Sequence, residues 1–159
     1  MSTKSQERQR FIRFYKEQTG DKAVDMHKVA KFAKLNGWKL PTPPDPLDML
    51  AKEFAQSARE EVRYDKKTNR PYRANHAIAI MQGTQQLYLW IDIDEAERKP
   101  MLKSLVQRRE QMVGDAYHLT LDADHWNSIH QDEEPITMPL DFQDDVNWRK
   151  NGPEEAKAS

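Results

Sequence analysis

Between Arg63 and Arg73 the chain reads Arg-Tyr-Asp-Lys-Lys-Thr-Asn-Arg-Pro-Tyr-Arg, which is five cations, one acid and two aromatic rings in eleven residues. Arginine and lysine release counterions when they meet phosphate, and tyrosine can stack on a base or a ribose. Arg63, Lys66, Lys67, Arg70, Tyr72 and Arg73 are therefore candidate contacts to a nucleic acid. A second set lies just upstream. Lys52, Gln56 and Arg59 are spaced four and three apart, so on a helix they project from one face. Glutamine can read adenine bidentately and arginine can read guanine, whereas lysine serves either a base or a phosphate. Glu53, Glu60 and Glu61 count against a close approach to phosphate, and a solvated helix face laced with ion pairs explains the same pattern equally well. For residues 63–73 the competing reading is a basic surface loop with no ligand.

Other chemistries fit less well. His118, His125 and His130, with Asp122 and Asp124, form a cluster in composition. The spacing of five between the last two histidines does not put both rings on one helical face, as a spacing of four would. No metal site is expected there. His76 beside the basic segment could move a proton on a phosphodiester, but a single histidine at a strand end is more often structural. No glycine-rich phosphate loop and no nucleophile elbow occur, and the absence of cysteine removes thiol chemistry. Neither a cofactor nor enzymatic activity is expected.

The positions of the charges agree with the first reading. The net charge of −1 conceals +7 over residues 1–73 (17 Lys/Arg against 10 Asp/Glu) and −8 over residues 74–159 (8 against 16). A basic half calls for an anionic partner or a mask, and an acidic half can supply the mask or dock a protein. No apolar stretch approaches the ~20 residues of a membrane helix, and the first eleven residues lack the apolar run of a signal peptide. A soluble, cytoplasmic protein with no membrane partner is expected.

The elements that must position these residues follow from periodicity. Ser5 can cap a first helix with Phe11, Phe14 and Tyr15 on its apolar face, ended by Gly20. Asp25 can cap a second, carrying Met26, Val29, Ala30 and Ala33, and Lys28, Lys31 and Lys34 on it widen the basic surface. After the rigid Leu40–Pro46 stretch, Asp45 caps a third helix with Pro46 in its first position and a stripe of Leu47, Leu50, Ala51, Phe54 and Ala58. The period then falls to two. Val62–Tyr64 reads as a short strand, residues 65–71 as a loop, and residues 76–81 and 87–93 as strands joined across Gly83 and Thr84. One face of the second of these, with Tyr88 and Trp90, is half-apolar and needs a cover. Residues 95–130 return to helical spacing, and the remainder is acidic and interrupted by proline.

The first helix, those at 25–35 and 45–61, and the strands 76–81 and 87–93 give three helices followed by a hairpin. In this element order the chain resembles the winged helix-turn-helix superfamily over residues 5–94. The expected fold is thus α+β, mainly α: a winged-helix-like basic domain (1–94) of three helices plus a β-hairpin or three-stranded meander, a long helix (95–130), and an acidic extended tail (131–159). The resemblance implies a third helix that enters the major groove and a wing that touches backbone or minor groove. If strands 62–64 and 74–81 form the wing, the basic loop is its tip; if the later hairpin does, the tip is neutral.

Leu102, Leu105, Met112, Ala116, Leu119 and Trp126 follow heptad steps, with Arg109 inside the seam. Such a seam either packs back on its own chain over Tyr88 and Trp90 or pairs with a second copy; the homodimer is expected. In the tail Ile136, Met138, Leu140 and Phe142 alternate, which suits an extended segment lying against a surface. The function expected from all this is binding of nucleic acid, duplex DNA rather than RNA, by a dimeric regulator of transcriptional or phage/mobile-element type. The alternative is a non-enzymatic adaptor that docks a protein through the long helix and acidic tail.

Overall fold

The computed structural model describes residues 1–152. The chain is α+β and mainly helical. Its elements run α1 (Lys4–Thr19), α2 (Met26–Leu35), α3 (Pro46–Glu60), β1 (Val62–Tyr64), β2 (Pro71–Arg73), β3 (Asn75–Gln82), β4 (Gln85–Asp92), α4 (Arg98–Ile129) and α5 (Gln143–Asn151). Two compact units divide within α3, the first comprising Met1–Lys52 and the second starting at Glu53. The change of hydrophobic period near residue 94 does not separate them, because α4 docks on β3.

In the first unit, α1 is capped by Thr3 rather than Ser5. The Thr3 hydroxyl accepts the Gln6 N–H at 3.1 Å while the Gln6 side chain accepts the Thr3 N–H at 2.8 Å. This reciprocal capping box satisfies two donors that the first turn leaves free. Gly20, at φ 75°, closes the helix in the left-handed conformation that glycine adopts without strain. Asp25 caps α2 through the His27 N–H at 2.8 Å. The helices meet through aromatic rings: Phe11 lies 5.1 Å from Trp38 and 5.7 Å from Phe32, and Tyr15 meets Phe32 edge-on at 5.5 Å. Tyr15, Val29 and Ala33 are the buried residues of this small core.

Asp45 caps α3 as expected, its carboxylate accepting the Leu47 N–H. The expected burial of its apolar stripe is not observed. Leu47 and Phe54 are 74% and 69% exposed, Leu50 and Ala51 are also exposed, and only Ala58 is half-buried. Helical spacing creates an apolar face but not a neighbour to cover it. At the last turn of α3, Asn75 donates to the Ala58 carbonyl at 3.1 Å.

In the second unit β1 pairs with β2 and β3 with β4, two antiparallel hairpins instead of one meander. The basic segment is therefore shorter than expected as a loop, since residues 71–73 are strand. Pro71 occupies a first strand position, where its missing N–H is tolerated. Ala74 joins the hairpins: its N–H bonds Glu61 O at 3.0 Å, and its carbonyl accepts the Ile93 N–H at 2.9 Å. Ala74 is wholly buried, as a residue shared by two ladders must be. Gly83, at φ 63°, takes the first place in the two-residue β3–β4 turn, the glycine position of a type II′ turn.

The outer edge of β3 is covered by α4. Ser104, fully buried, donates its hydroxyl to the Ala77 carbonyl at 2.7 Å. Gln107, one turn on, accepts the Ala79 N–H at 2.9 Å and donates to the Ala79 carbonyl at 3.0 Å. A side-chain amide thus stands in for the strand that an edge lacks. α4 runs unbroken past Gly114 and Asp122, and among the described residues no helix is long and apolar enough to cross a membrane. Beyond it, Asn127 repeats the device, exchanging two bonds of 2.8 Å with the Ile136 backbone. The tail is not extended throughout. Gln143–Asn151 is helical, with Asp144 and Asp145 in its first turn and Arg149 and Lys150 in its last, complementing the helix dipole. The last seven residues of the expected tail lie outside the described residues.

Replacing Gln107 with Ala strands the Ala79 backbone pair, and Ser104→Ala strands the Ala77 carbonyl. Each should cost about 1–3 kcal/mol in urea unfolding, whereas Lys103→Ala, on the exposed side, should stay within about 0.5 kcal/mol.

Candidate nucleic-acid interface

The basic segment is the turn of the β1–β2 hairpin, and its single acid organises it. The Asp65 carboxylate accepts the Lys67 and Thr68 N–H groups at 2.8 and 2.9 Å and the Thr68 hydroxyl at 3.2 Å. The Thr68 and Lys67 amides hold that carboxyl below its ordinary pKa. Asn69 takes the left-handed conformation (φ 55°) that asparagine tolerates, and Asp65 N–H bonds Arg70 O at 2.9 Å. Lys66, Lys67 and Arg70 are left exposed on a constructed turn. Arg70 reaches Asn151 Oδ1.

Arg63 is used internally. Its guanidinium makes a two-pronged bond to Asp92, both contacts 2.8 Å, and adds Asp94 at 2.7 Å and Glu61 at 3.2 Å. The bonds to Asp92, then Asp94, raise its pKa, and Arg63 in turn lowers that of Asp92, helped by the Asp94 N–H. The Tyr72 hydroxyl donates to Asp94, and partial burial followed by this bond raises the phenol pKa. Arg63 and Tyr72 thus anchor the basic hairpin to the end of β4.

A second basic surface lies on the β3–β4 sheet. Ala77 faces Trp90 and Ala79 faces Tyr88 across the strands, so two rings stand opposite methyl groups. Space opens over them. A groove of about 660 Å³ is lined by these four residues together with Arg59, Arg73, Arg108, His76 and Gln107, and Glu110 is the one acid in its lining. The Arg59 guanidinium sits 5.1 Å from the centre of the Trp90 ring, a cation–π distance. His76 is buried, with Nε2 2.8 Å from the Arg73 carbonyl and Nδ1 3.5 Å from the Arg108 guanidinium. A proton on Nε2 would donate to the Arg73 carbonyl and leave Nδ1 facing Arg108 beside the groove.

Of the helix residues proposed to read bases, Arg59 enters this groove. Gln56 donates to Glu60 at 2.6 Å, and Lys52 is exposed in the first unit. Of the basic segment, Arg73 joins the groove and Lys66, Lys67 and Arg70 remain on the turn. Arg108, Tyr88 and Trp90 were not among the anticipated contacts, although the half-apolar Tyr88/Trp90 face was the signal that could have found them. The seam residues Leu102, Leu105, Met112 and Leu119 are 44–59% exposed, with Ala116 and Trp126 half-buried. α4 hydrogen-bonds the sheet edge through Ser104 and Gln107. Trp126 stacks on His130 with ring centres 4.1 Å apart, and among the described residues no three His, Asp or Glu side chains gather as metal ligands would.

The Arg63–Asp92 pair gives the second unit a defined pH dependence. A lowered carboxyl pKa stabilises above the unfolded value of ~3.9 and is lost as pH falls through the lowered one, so unfolding midpoints should drop in acid, and less so in Asp92→Asn. The raised Tyr72 pKa stabilises below ~10 and is lost as pH rises through it, a loss that Tyr72→Phe should remove. Flat profiles in the parent protein would contradict both assignments. Compared with protein-family models, with curated proteins and with solved structures, the chain matches none.

Proposed function

We propose that this protein binds nucleic acid through the β1–β2 turn and the adjoining groove. The observation that carries the reading is the groove itself, where Arg59, Arg73 and Arg108 surround Tyr88 and Trp90 with a single acid among the lining residues. The exposed Lys66, Lys67 and Arg70 extend the same sign of charge. Duplex DNA is the form favoured by the order of three helices followed by a hairpin, the winged-helix order, with β1–β2 as the wing on the phosphate backbone. The exposed seam of α4 is the proposed homodimer surface, which would space two such wings for a regulator. One observation favours a second reading, single-stranded nucleic acid. Tyr88 is 59% exposed beside Trp90, and two neighbouring rings on a sheet form a stacking platform.

Fluorescence anisotropy with labelled duplex and single strands between 50 and 200 mM salt tests both. For the duplex, changing Lys66, Lys67 and Arg70 together to Ala should reduce the slope of log affinity against log salt by about 0.9 for each phosphate that is no longer neutralised. An unchanged slope would remove the turn from the interface. Trp90→Ala should weaken single-strand binding by about 1–3 kcal/mol if the platform stacks a base. Absence of affinity for either form at 50 mM salt would reject the proposal.

A further inference from the structure

The first unit carries a groove of a different character. Ile12, Met26, Val29, Trp38 and Leu40 line an opening of about 880 Å³ between α1, α2 and the stretch after α2, and Lys4, Arg8, Lys34 and Lys39 stand on its rim with Glu7 as the one acid. Met26 and Leu40 are 57% and 62% exposed, so the apolar floor is open to solvent. An apolar floor inside a cationic rim suits an acidic segment with regularly spaced apolar side chains. Nucleic acid suits it poorly, because its phosphates would gain nothing from the floor.

This chain contains a segment of that description. From Gln131 to Trp148 there is no Lys or Arg, while Asp132, Glu133, Glu134, Asp141, Asp144 and Asp145 supply six acids. Within it Ile136, Met138, Leu140 and Phe142 alternate, and they are 39–48% exposed. Pro135 and Pro139 keep residues 135–140 out of a helix, and Asn127 fixes where the segment leaves α4. Within their own units the groove floor is open to solvent and the segment's apolar side chains are partly exposed, and the charges of the two are opposite. We propose that the groove of one copy receives the 132–146 segment of a second copy, with Leu140 and Phe142 on the apolar floor and Asp141, Asp144 and Asp145 facing the cationic rim. Given and returned by both copies, the contact closes a dimer. It is independent of the nucleic-acid reading and of the α4 seam.

The test is light scattering of the full chain at low salt over a range of concentrations, without nucleic acid. The wild type should associate. Lys34→Glu with Lys39→Glu, and separately Asp141→Lys with Asp144→Lys, should each raise the dissociation constant at least about tenfold, as charge reversal at an interface does. Mixing the two variants in equal amounts should restore association, and Leu140→Ser with Phe142→Ser should abolish it once the seam is removed by Leu105→Asp and Met112→Asp. The exchange should survive in a Leu105→Asp, Met112→Asp background, which removes the seam alone. A wild type that is monomeric at every concentration would overturn the proposal. So would association insensitive to both charge reversals, or tail variants that alter Trp38 fluorescence at unchanged mass, the sign of a segment seated in its own chain.

Discussion

The outer edge of β3 offers backbone N–H and C=O groups at Ala77 and Ala79, and α4 answers them with Ser104 and Gln107. A two-stranded hairpin has too little buried surface to stand alone in water. By supplying side-chain partners to the edge, α4 converts the hairpin into part of a unit and fixes its own rotation at the same time. That rotation sets both the lining of the groove and the exposure of the seam. With Ser104 and Gln107 turned to the sheet, Arg108 comes beside His76 and the groove, while Leu102, Leu105 and Met112 are directed elsewhere. With these polar bonds in place, Leu102, Leu105, Met112 and Leu119 of the apolar seam stay 44–59% exposed.

The acids near the basic hairpin serve the fold. Asp92, Asp94 and Glu61 converge on Arg63, and Asp65 turns to the amides of its own loop. Cations that remain outside these contacts, Lys66 and Lys67 on the turn and Arg73 and Arg108 at the groove, carry the positive field on this unit. The charge division along the sequence is therefore coarser than the division in space, since Asp92 and Asp94 belong to the acidic half yet lie against Arg63 of the basic half.

Signals in the sequence were legible where the chemistry is local. Asp25 and Asp45 cap the helices anticipated for them, Gly83 marks the turn, and the heptad spacing gives one unbroken helix. Ser5 was expected to cap α1 in place of Thr3, although Gln6 three residues after Thr3 completes the capping box. What periodicity could not supply was the partner of each face. The α3 stripe was expected to be buried and is open, because amphipathic spacing is silent about what sits opposite. The seam was expected to pair with a second copy or to pack over Tyr88 and Trp90, whereas the bonds of α4 to the β3 edge come from Ser104 and Gln107, and nothing in their spacing distinguishes an edge-capping glutamine from a solvated one. Arg63 looks like its neighbours in the basic run. Its separation from them depends on acids roughly thirty residues away, a tertiary fact with no local signature. Arg108 enters the groove for the same reason.

The central claim is that the Trp90/Arg108 groove, with the adjoining turn, meets nucleic acid. Backbone and indole NMR shifts during titration with a short oligonucleotide, duplex and single-stranded in turn, test it most directly. The account predicts the largest changes at the Trp90 indole and at the amides of Lys66, Lys67, Arg73 and Arg108, with the Trp38 indole unmoved. Changes concentrated at Trp38 and the α1–α2 groove, or none at Trp90, would contradict it.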